Sequence, residues 1–220
     1  MTRLPASPYY PVLLNIQNKK CLVVGGGEVA LRKTQTILEH RASVLCVSPA
    51  FCDELNSLSE QGKIQALHKE YETTDLDDVY LVIAATDDPE INEKVATEAK
   101  QRKVLINVVD RPDLSDFIVP SYFTRGDIIV AVSTSGRSPA LARKIRTELE
   151  AALKPEYAQL ALIASEVRGE LKKNGMEVSA EQWQQALALN SIVELIKRGK
   201  NKEVREIILA RLNAVPQGKL

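Results

Sequence analysis

The chain has 220 residues, 45% of them hydrophobic, which suffices for one large domain or for a standard domain with an appendage. Lysine plus arginine equals aspartate plus glutamate at 29 each, so the charge balance gives no reason to expect binding to nucleic acid or to a membrane surface. The N-terminal stretch has prolines and tyrosines where a secretory signal needs an apolar core, and no apolar run reaches about 18 residues. We therefore expect a soluble, cytoplasmic protein.

Cysteine and histidine are few and scattered. Cys21, Cys46 and Cys52 show no C-x-x-C spacing, and two of them lie in predicted buried strands, which favours a core role over a redox or metal role. His40 and His68 have no ligand partner at helical spacing, so surface or strand-end positions are expected for both. The sequence predicts no metal site.

The most informative stretch is an apolar run that ends in three glycines. The composition of Leu22 to Val24 is typical of a buried strand, and apolar positions recur at helical spacing after the glycines. The spacing Gly25-x-Gly27-x-x-Ala30 matches the dinucleotide-binding fingerprint. Its residues allow, in order, a tight turn, close approach of the backbone to a pyrophosphate, and close packing of helix on strand. A purely structural strand-to-helix turn is the alternative.

The acidic residue that normally accompanies this fingerprint is missing. An Asp or Glu about 20 residues on usually binds the adenosine ribose, but here the strand over Ser43 to Val47 ends in Ser48-Pro49-Ala50. We expect the Ser48 hydroxyl and nearby backbone groups to hold the ribose. Asp53 is expected in the first turn of the next helix, where a carboxylate suits the helix dipole. With no arginine at the strand end to bind a 2′-phosphate, the sequence favours NAD over NADP.

Apolar runs and helical patterns then alternate, as in an open parallel sheet. The predicted elements are a helix over about 50–61, strands over 64–68 and 79–84, a helix over 88–101 and a strand over 104–108. Ligands in this architecture bind at the carboxyl ends of the strands. The segment after the fourth predicted strand can line a ligand site, or it can be a plain loop in which Asp87 or Asp88 caps the next helix. The predicted cofactor-binding residues follow the first, second and fourth strands: Gly25, Gly26, Gly27, Glu28, Val29, Ser48, Pro49, Ala50, Ala85 and Thr86.

Past Asp110 the alternation stops. Phe117 to Phe123 resembles an edge strand ended by proline, and a second strand is predicted over Ile128 to Val132. Ser138 followed by Pro139 indicates a helix start. The loop before it offers hydroxyls and backbone N–H groups at a positive helix end, which suits a carboxylate, although the loop could simply cap the helix. Helical, charged sequence follows Pro155, and its expected roles are packing and subunit contact.

Four stretches in this order resemble one family: YYPVLLNIQNKKCLVVGGGEVALRK, AATDD, NVVDRPDLSDFIVPS and VAVSTSGRSPALAR. They are similar to precorrin-2 dehydrogenase, which forms the first part of siroheme synthases and also exists as a stand-alone enzyme. The resemblance implies NAD-dependent oxidation of the tetrapyrrole precorrin-2 to sirohydrochlorin; some members also insert ferrous iron. Nothing here resembles the methyltransferase half of the fused enzyme, so we do not expect this chain to make its own precorrin-2.

The resemblance also implies a domain plan within an overall α/β fold. A Rossmann-type parallel-sheet domain is expected over 1–112, a small α+β dimerisation segment with the substrate loop over 113–153, and a helical C-terminal domain over 154–220. The implied assembly is a homodimer.

The residue roles follow from the same resemblance. The acid that ends NVVD is the family's key catalytic residue, which makes Asp110 the candidate general base for the proton lost in the oxidation. A turn role for Asp110 ahead of Arg111-Pro112 is the alternative. Thr134 stands where a bifunctional relative can have serine. The expected substrate-binding residues are Ser121, Ser133, Thr134, Ser135, Gly136, Arg137 and Ser138.

Two rival functions stay open. A non-enzymatic NAD-sensing domain would share the glycine fingerprint but would not need Asp110 or the serine-rich loop. A dehydrogenase that is also a ferrochelatase would reuse Asp110, so sequence does not separate it from the dehydrogenase alone.

Overall fold

The computed structural model describes residues 7–214, and internal contacts divide the chain into two compact units, 1–119 and 120–220. The first six residues of the predicted nucleotide-binding domain and the last six of the predicted C-terminal domain lie outside the described residues. No helix within 7–214 combines the length and the apolar character that a membrane span requires.

The first unit is a parallel five-stranded sheet flanked by helices. Its strands are β1 (Lys20–Val24), β2 (Ser43–Ser48), β3 (Gln65–His68), β4 (Leu81–Ala84) and β5 (Leu105–Val108). Its helices are α1 (Glu28–Glu39), α2 (Asp53–Glu60) and α3 (Pro89–Gln101), with a 3₁₀ helix over Thr73–Leu76. The strand order is β3-β2-β1-β4-β5. The sequential order of the strands reverses between β1 and β4, and ligands bind at this position in doubly wound folds.

Both faces of this sheet are buried, which explains the nearly continuous apolar runs of its strands. In β1, Leu22 and Val24 pack on the face that carries α3, while Cys21 and Val23 pack on the face that carries α1 and α2. Burial raises the pKa of the Cys21 and Cys46 thiols to about 11, so both behave as core residues, as the sequence predicted.

A loop covers the outer edge of β5. The Asp116 N–H donates to the Ile106 carbonyl at 2.8 Å, and the Asn107 side-chain amide donates to the Phe117 carbonyl at 2.9 Å. Ser115 accepts the Val108 N–H at 2.9 Å. This strap pairs polar groups that an exposed edge strand would leave open. It also explains why the first unit extends to residue 119, beyond the predicted boundary after residue 112.

The second unit starts with an antiparallel hairpin of β6 (Ser121–Arg125) and β7 (Ile128–Val132), followed by α4 (Pro139–Ala152). Four further helices follow: α5 (Glu156–Lys173), α6 (Ala180–Ala186), α7 (Leu189–Lys197) and α8 (Asn201–Ala214). Buried aliphatic residues from these four helices form one core. The unit does not separate 113–153 from the helical part, and the predicted dimerisation segment stays a prediction.

The α/β fold class predicted from the sequence is confirmed, and two local predictions are wrong. The strand expected to end at Pro120 instead begins at Ser121, because proline has no N–H to donate to the ladder. The helix expected from about residue 50 begins at Asp53, since the preceding residues fold back onto the glycine turn.

We predict that Asn107→Ala destabilises the first unit by about 1–3 kcal/mol, because the Phe117 carbonyl loses its bond to the buried Asn107 side chain, its only side-chain donor among the described residues. Urea unfolding measures the change. Gln101→Ala, at the exposed end of α3, is the control and should shift stability by less than about 0.5 kcal/mol. Equal effects of the two substitutions would show that the strap contributes nothing.

Candidate cofactor and active site

The turn between β1 and α1 leaves no room for side chains at its first two glycines. Gly25 has φ +133°, and a Cβ there would lie 2.4 Å from the Ala85 carbonyl oxygen. A Cβ on Gly26 would lie 1.8 Å from the Ala50 carbonyl oxygen. The turn is therefore closely packed between the backbone that follows β4 and the backbone that follows β2.

Gly27 differs from both neighbours. Its backbone angles, φ −92° and ψ −172°, suit any residue, and a Cβ there would meet nothing within 4 Å. Gly27 is the N-cap of α1, and no side chain caps that helix end. Neither backbone strain nor packing thus requires glycine at this position, whereas a pyrophosphate at the N-terminus of α1 would. The residues present fit a bound dinucleotide.

The loop after β2 docks onto this turn. The Cys52 N–H donates to the Gly26 carbonyl at 2.8 Å, and the Ser48 hydroxyl oxygen lies 2.8 Å from the point that a Gly26 Cβ would occupy. Asp53 lies in the first turn of α2, as predicted. Docking brings together one ligand atom each from Glu28, Cys52 and Glu54, all within 4.8 Å of one another. Sequence spacing gave no sign of this grouping.

The segment after β4 is held by a network of its own. The Thr86 hydroxyl donates to the Asn92 side-chain oxygen at 2.9 Å, and the Asn92 amide returns a bond to the Thr86 carbonyl at 3.0 Å. Asp88 caps α3, accepting from the N–H groups of Glu90 and Ile91. Thr86 therefore holds the loop shape rather than offering a spare hydroxyl, and Asn92 is a site-shaping residue that sequence reasoning missed.

Asp110 lies two residues beyond the end of β5, so it is at the carboxyl end of the sheet, as the glycine turn is. The ladder continues past β4 and β5, because the Val109 N–H donates to the Ala84 carbonyl at 3.0 Å. Asp110 is exposed and has φ +57°, a conformation that costs a non-glycine residue on the order of 1 kcal/mol. Within residues 7–214 its carboxylate makes no hydrogen bond or ion pair, so the turn does not depend on it.

The turn around Asp110 is stabilised by its neighbour instead. The Arg111 guanidinium donates to Asp113 at 2.8 Å and to Glu93 at 3.2 Å. This contact with Arg111 holds the pKa of Asp113 below its ordinary value. The carboxylate of Asp110 is left available at a strand end.

Lys33 is a further residue near Asp110 that sequence reasoning missed. It is half-buried on α1, and burial, with help from Arg32, lowers the pKa of its ammonium group, while Asp110 acts in the opposite direction. The two side chains are thus close enough to interact. The sequence signal that could have revealed Lys33 is its position three residues after Ala30, which places it beside the apolar stripe of α1.

The predicted substrate loop lies in the second unit, at the open end of the hairpin. Ser121 pairs with Val132, so Ser121 neighbours the start of the loop. Three hydroxyl oxygens accept backbone N–H groups inside the loop: Ser133 from Ser135 at 3.0 Å, Thr134 from Ser138 at 3.0 Å, and Ser138 from Leu141 at 3.3 Å. Each hydroxyl retains its own O–H to donate. Arg137 is exposed, while its N–H is bonded to the Thr134 carbonyl.

The first unit, with its glycine turn and reversal point, defines a dinucleotide-binding domain of the doubly wound class. Two family models match the chain: "Putative NAD(P)-binding" over residues 12–121 and "Sirohaem biosynthesis protein central" over residues 125–152. The chain belongs to the family that comprises precorrin-2 dehydrogenases and the corresponding part of siroheme synthases.

Curated relatives and a solved structure agree with this assignment. The siroheme synthase of Nitrosococcus oceani is 39% identical over 206 residues, covering 93% of this chain and 44% of the relative. That of Photobacterium profundum is 37% identical over 215 residues, covering 96% and 46%. The chain thus spans less than half the length of these relatives. The structure of SirC, a precorrin-2 dehydrogenase, has a TM-score of 0.67 and 25% identity, covering 94% of this chain and 100% of that chain.

The contrast between Gly26 and Gly27 gives a test of the cofactor site. We predict that Gly27→Val leaves the fold intact and abolishes NAD binding, because its side chain enters open space where the pyrophosphate would lie. Gly26→Ala should instead destabilise the protein by about 1–3 kcal/mol, since its Cβ overlaps backbone. Calorimetric titration and thermal unfolding separate the two effects. Unchanged NAD affinity in Gly27→Val would place the nucleotide elsewhere.

Proposed function

We propose that this protein oxidises precorrin-2 to sirohydrochlorin, with NAD as the acceptor. The observation that carries the proposal is Asp110, an exposed acid in a strained conformation at the end of β5, in a chain of the NAD(P)-binding family. The reaction removes two electrons and two protons from the tetrapyrrole. NAD, when bound, takes up both electrons and one proton as hydride, and the second proton must leave by another route.

Asp110 is proposed as the group that accepts this second proton. A carboxylate that makes no hydrogen bond or ion pair among the described residues can serve as a base. Lys33 contributes positive charge close to this carboxylate.

The loop from Ser133 to Ser138 is proposed to bind the acetate and propionate groups of the substrate. Its hydroxyls are fixed by backbone N–H groups, so their remaining O–H bonds have limited directions and can donate to a carboxylate. Arg137 supplies the positive charge that a net-neutral protein needs locally.

Purified protein incubated with enzymatically generated precorrin-2 tests the proposal by absorbance. Sirohydrochlorin should form only with NAD present. Adding ferrous or cobalt ion to a parallel sample tests the ferrochelatase alternative. That alternative requires the metal to be inserted into the tetrapyrrole without a second enzyme. Binding of NAD without any tetrapyrrole binding would favour the sensing domain and contradict the dehydrogenase.

We predict that Asp110→Asn lowers kcat by about 10²- to 10⁴-fold while the affinities for NAD and precorrin-2 change little, because asparagine keeps the size but cannot accept the proton. Asp113→Asn, which removes a turn-stabilising acid three residues away, is the control and should retain most of the turnover. Steady-state kinetics and calorimetry give both quantities. A near wild-type rate for Asp110→Asn would assign the proton to solvent or to a loop hydroxyl.

A homodimer assembled through the hairpin and α4 is the proposed state of the protein. Of residues 120–153, all of which are described, only Phe123 and Ala142 are buried, and a two-stranded hairpin is marginal by itself. Leu141, Ile145 and Leu149 recur every four residues on α4 and are 51%, 36% and 42% exposed. A second copy that covers this stripe would supply the missing core. The cytoplasm is the proposed compartment, in keeping with three free cysteines.

We predict that Ile145→Glu converts the dimer to monomer, because it places a charge in the centre of this apolar stripe. Thr147→Glu adds the same charge to the same helix about 200° away around its axis and should leave the dimer intact. Multi-angle light scattering at micromolar concentration reads out the mass. A wild-type monomer under these conditions would refute the proposed assembly.

A further inference from the structure

We propose that Glu28 and Glu54 exclude the 2′-phosphate of NADP and so make the protein selective for NAD. The inference rests on the proposed function, since it concerns the cofactor site of the same enzyme. It assigns to two helix-start residues the discrimination that an acid at the end of β2 provides in other dinucleotide-binding folds.

The two carboxylates lie together beside the glycine turn. β2 ends at Ser48, where the adenosine ribose is expected. The loop after β2 returns to the glycine turn through the bond from the Cys52 N–H to the Gly26 carbonyl. This docking puts the first turn of α2 beside the first residue of α1, with the Glu28 and Glu54 carboxylates and the Cys52 thiol within 4.8 Å. The acids thus lie at the glycine turn, close to the strand end where the ribose is expected.

The N-terminus of α2 belongs to this same cluster, through Glu54. A helix start next to the ribose would attract a 2′-phosphate through its N–H groups and its dipole. Here the first turn of α2 contains Asp53 and Glu54, and no side chain from Cys52 caps it. These acids offset the positive helix end, and Glu28 adds a third negative charge from α1.

Lys69 is a cation close to the end of β2. Lys69 follows β3 directly, and its N–H donates to the Ser48 carbonyl at 3.1 Å, so its backbone is adjacent to the end of β2. Its ammonium group is engaged elsewhere, with Glu72 at 2.9 Å and with Asp75 at 3.0 Å. The Asp75 side chain is 6% exposed. A lysine that follows the strand beside the end of β2 is therefore held by two acids.

The test is calorimetric titration of NAD and NADP into wild type and into the double variant Glu28→Gln/Glu54→Gln, with a chelator present so that no cation neutralises the acids. The matched control is Glu39→Gln/Glu60→Gln, which removes the same charge from the far ends of the same two helices. We expect the ratio of the NADP to the NAD dissociation constant to fall by about tenfold per charge removed next to the phosphate. The control should keep the wild-type ratio.

Salt separates charge repulsion from shape. The screening length falls to roughly 3 Å at 1 M salt, so the preference of the wild-type protein for NAD should shrink there. The preference of the double variant should change less with salt. NAD binding with an unaltered ratio in the double variant would overturn this inference and leave the proposed function standing. Failure of wild type to bind either nucleotide would overturn both.

Discussion

The site depends on one steric constraint, the absence of room for a Cβ at Gly25 and Gly26. Backbone from the β4 loop approaches the turn on one side, and backbone from the β2 loop approaches it on the other. Because the turn has no side chains to separate them, three strand ends meet within a few ångströms. Gly27 is free of both contacts, and a Cβ there would meet nothing within 4 Å, so packing does not require glycine at this position.

The parallel sheet confines the candidate site to the carboxyl ends of its strands. With both faces buried under helices, polar chemistry is confined to the strand ends. The ladder from Ala84 to Val109 places Asp110 on that edge, and Arg111 stabilises the turn without using the Asp110 carboxylate. The strained φ of Asp110 costs little free energy beside the total stability of a packed core, so the buried sheet can support it.

The features that sequence reasoning found are those carried by local patterns. The glycine fingerprint, the buried strands and the start of α4 at Ser138 depend on neighbouring residues, so spacing and residue type sufficed. The features it missed depend on contacts between distant segments. Asn92 matters only because α3 starts beside Thr86, and the grouping of Glu28 with Glu54 exists only because the β2 loop folds back. Pro120 was interpreted as the end of a strand, because the local sequence does not show whether the residues before or after the proline pair with another strand.

Direct transfer of hydrogen from the tetrapyrrole to NAD tests the central claim most directly. Precorrin-2 deuterated at its oxidisable carbon positions would be incubated with the wild-type protein and NAD, and the recovered dinucleotide analysed by mass spectrometry. We expect one deuterium in each reduced dinucleotide, and one molecule of sirohydrochlorin for each molecule of reduced dinucleotide. Sirohydrochlorin formed without deuterium in the dinucleotide, or at the same rate without NAD, would contradict it.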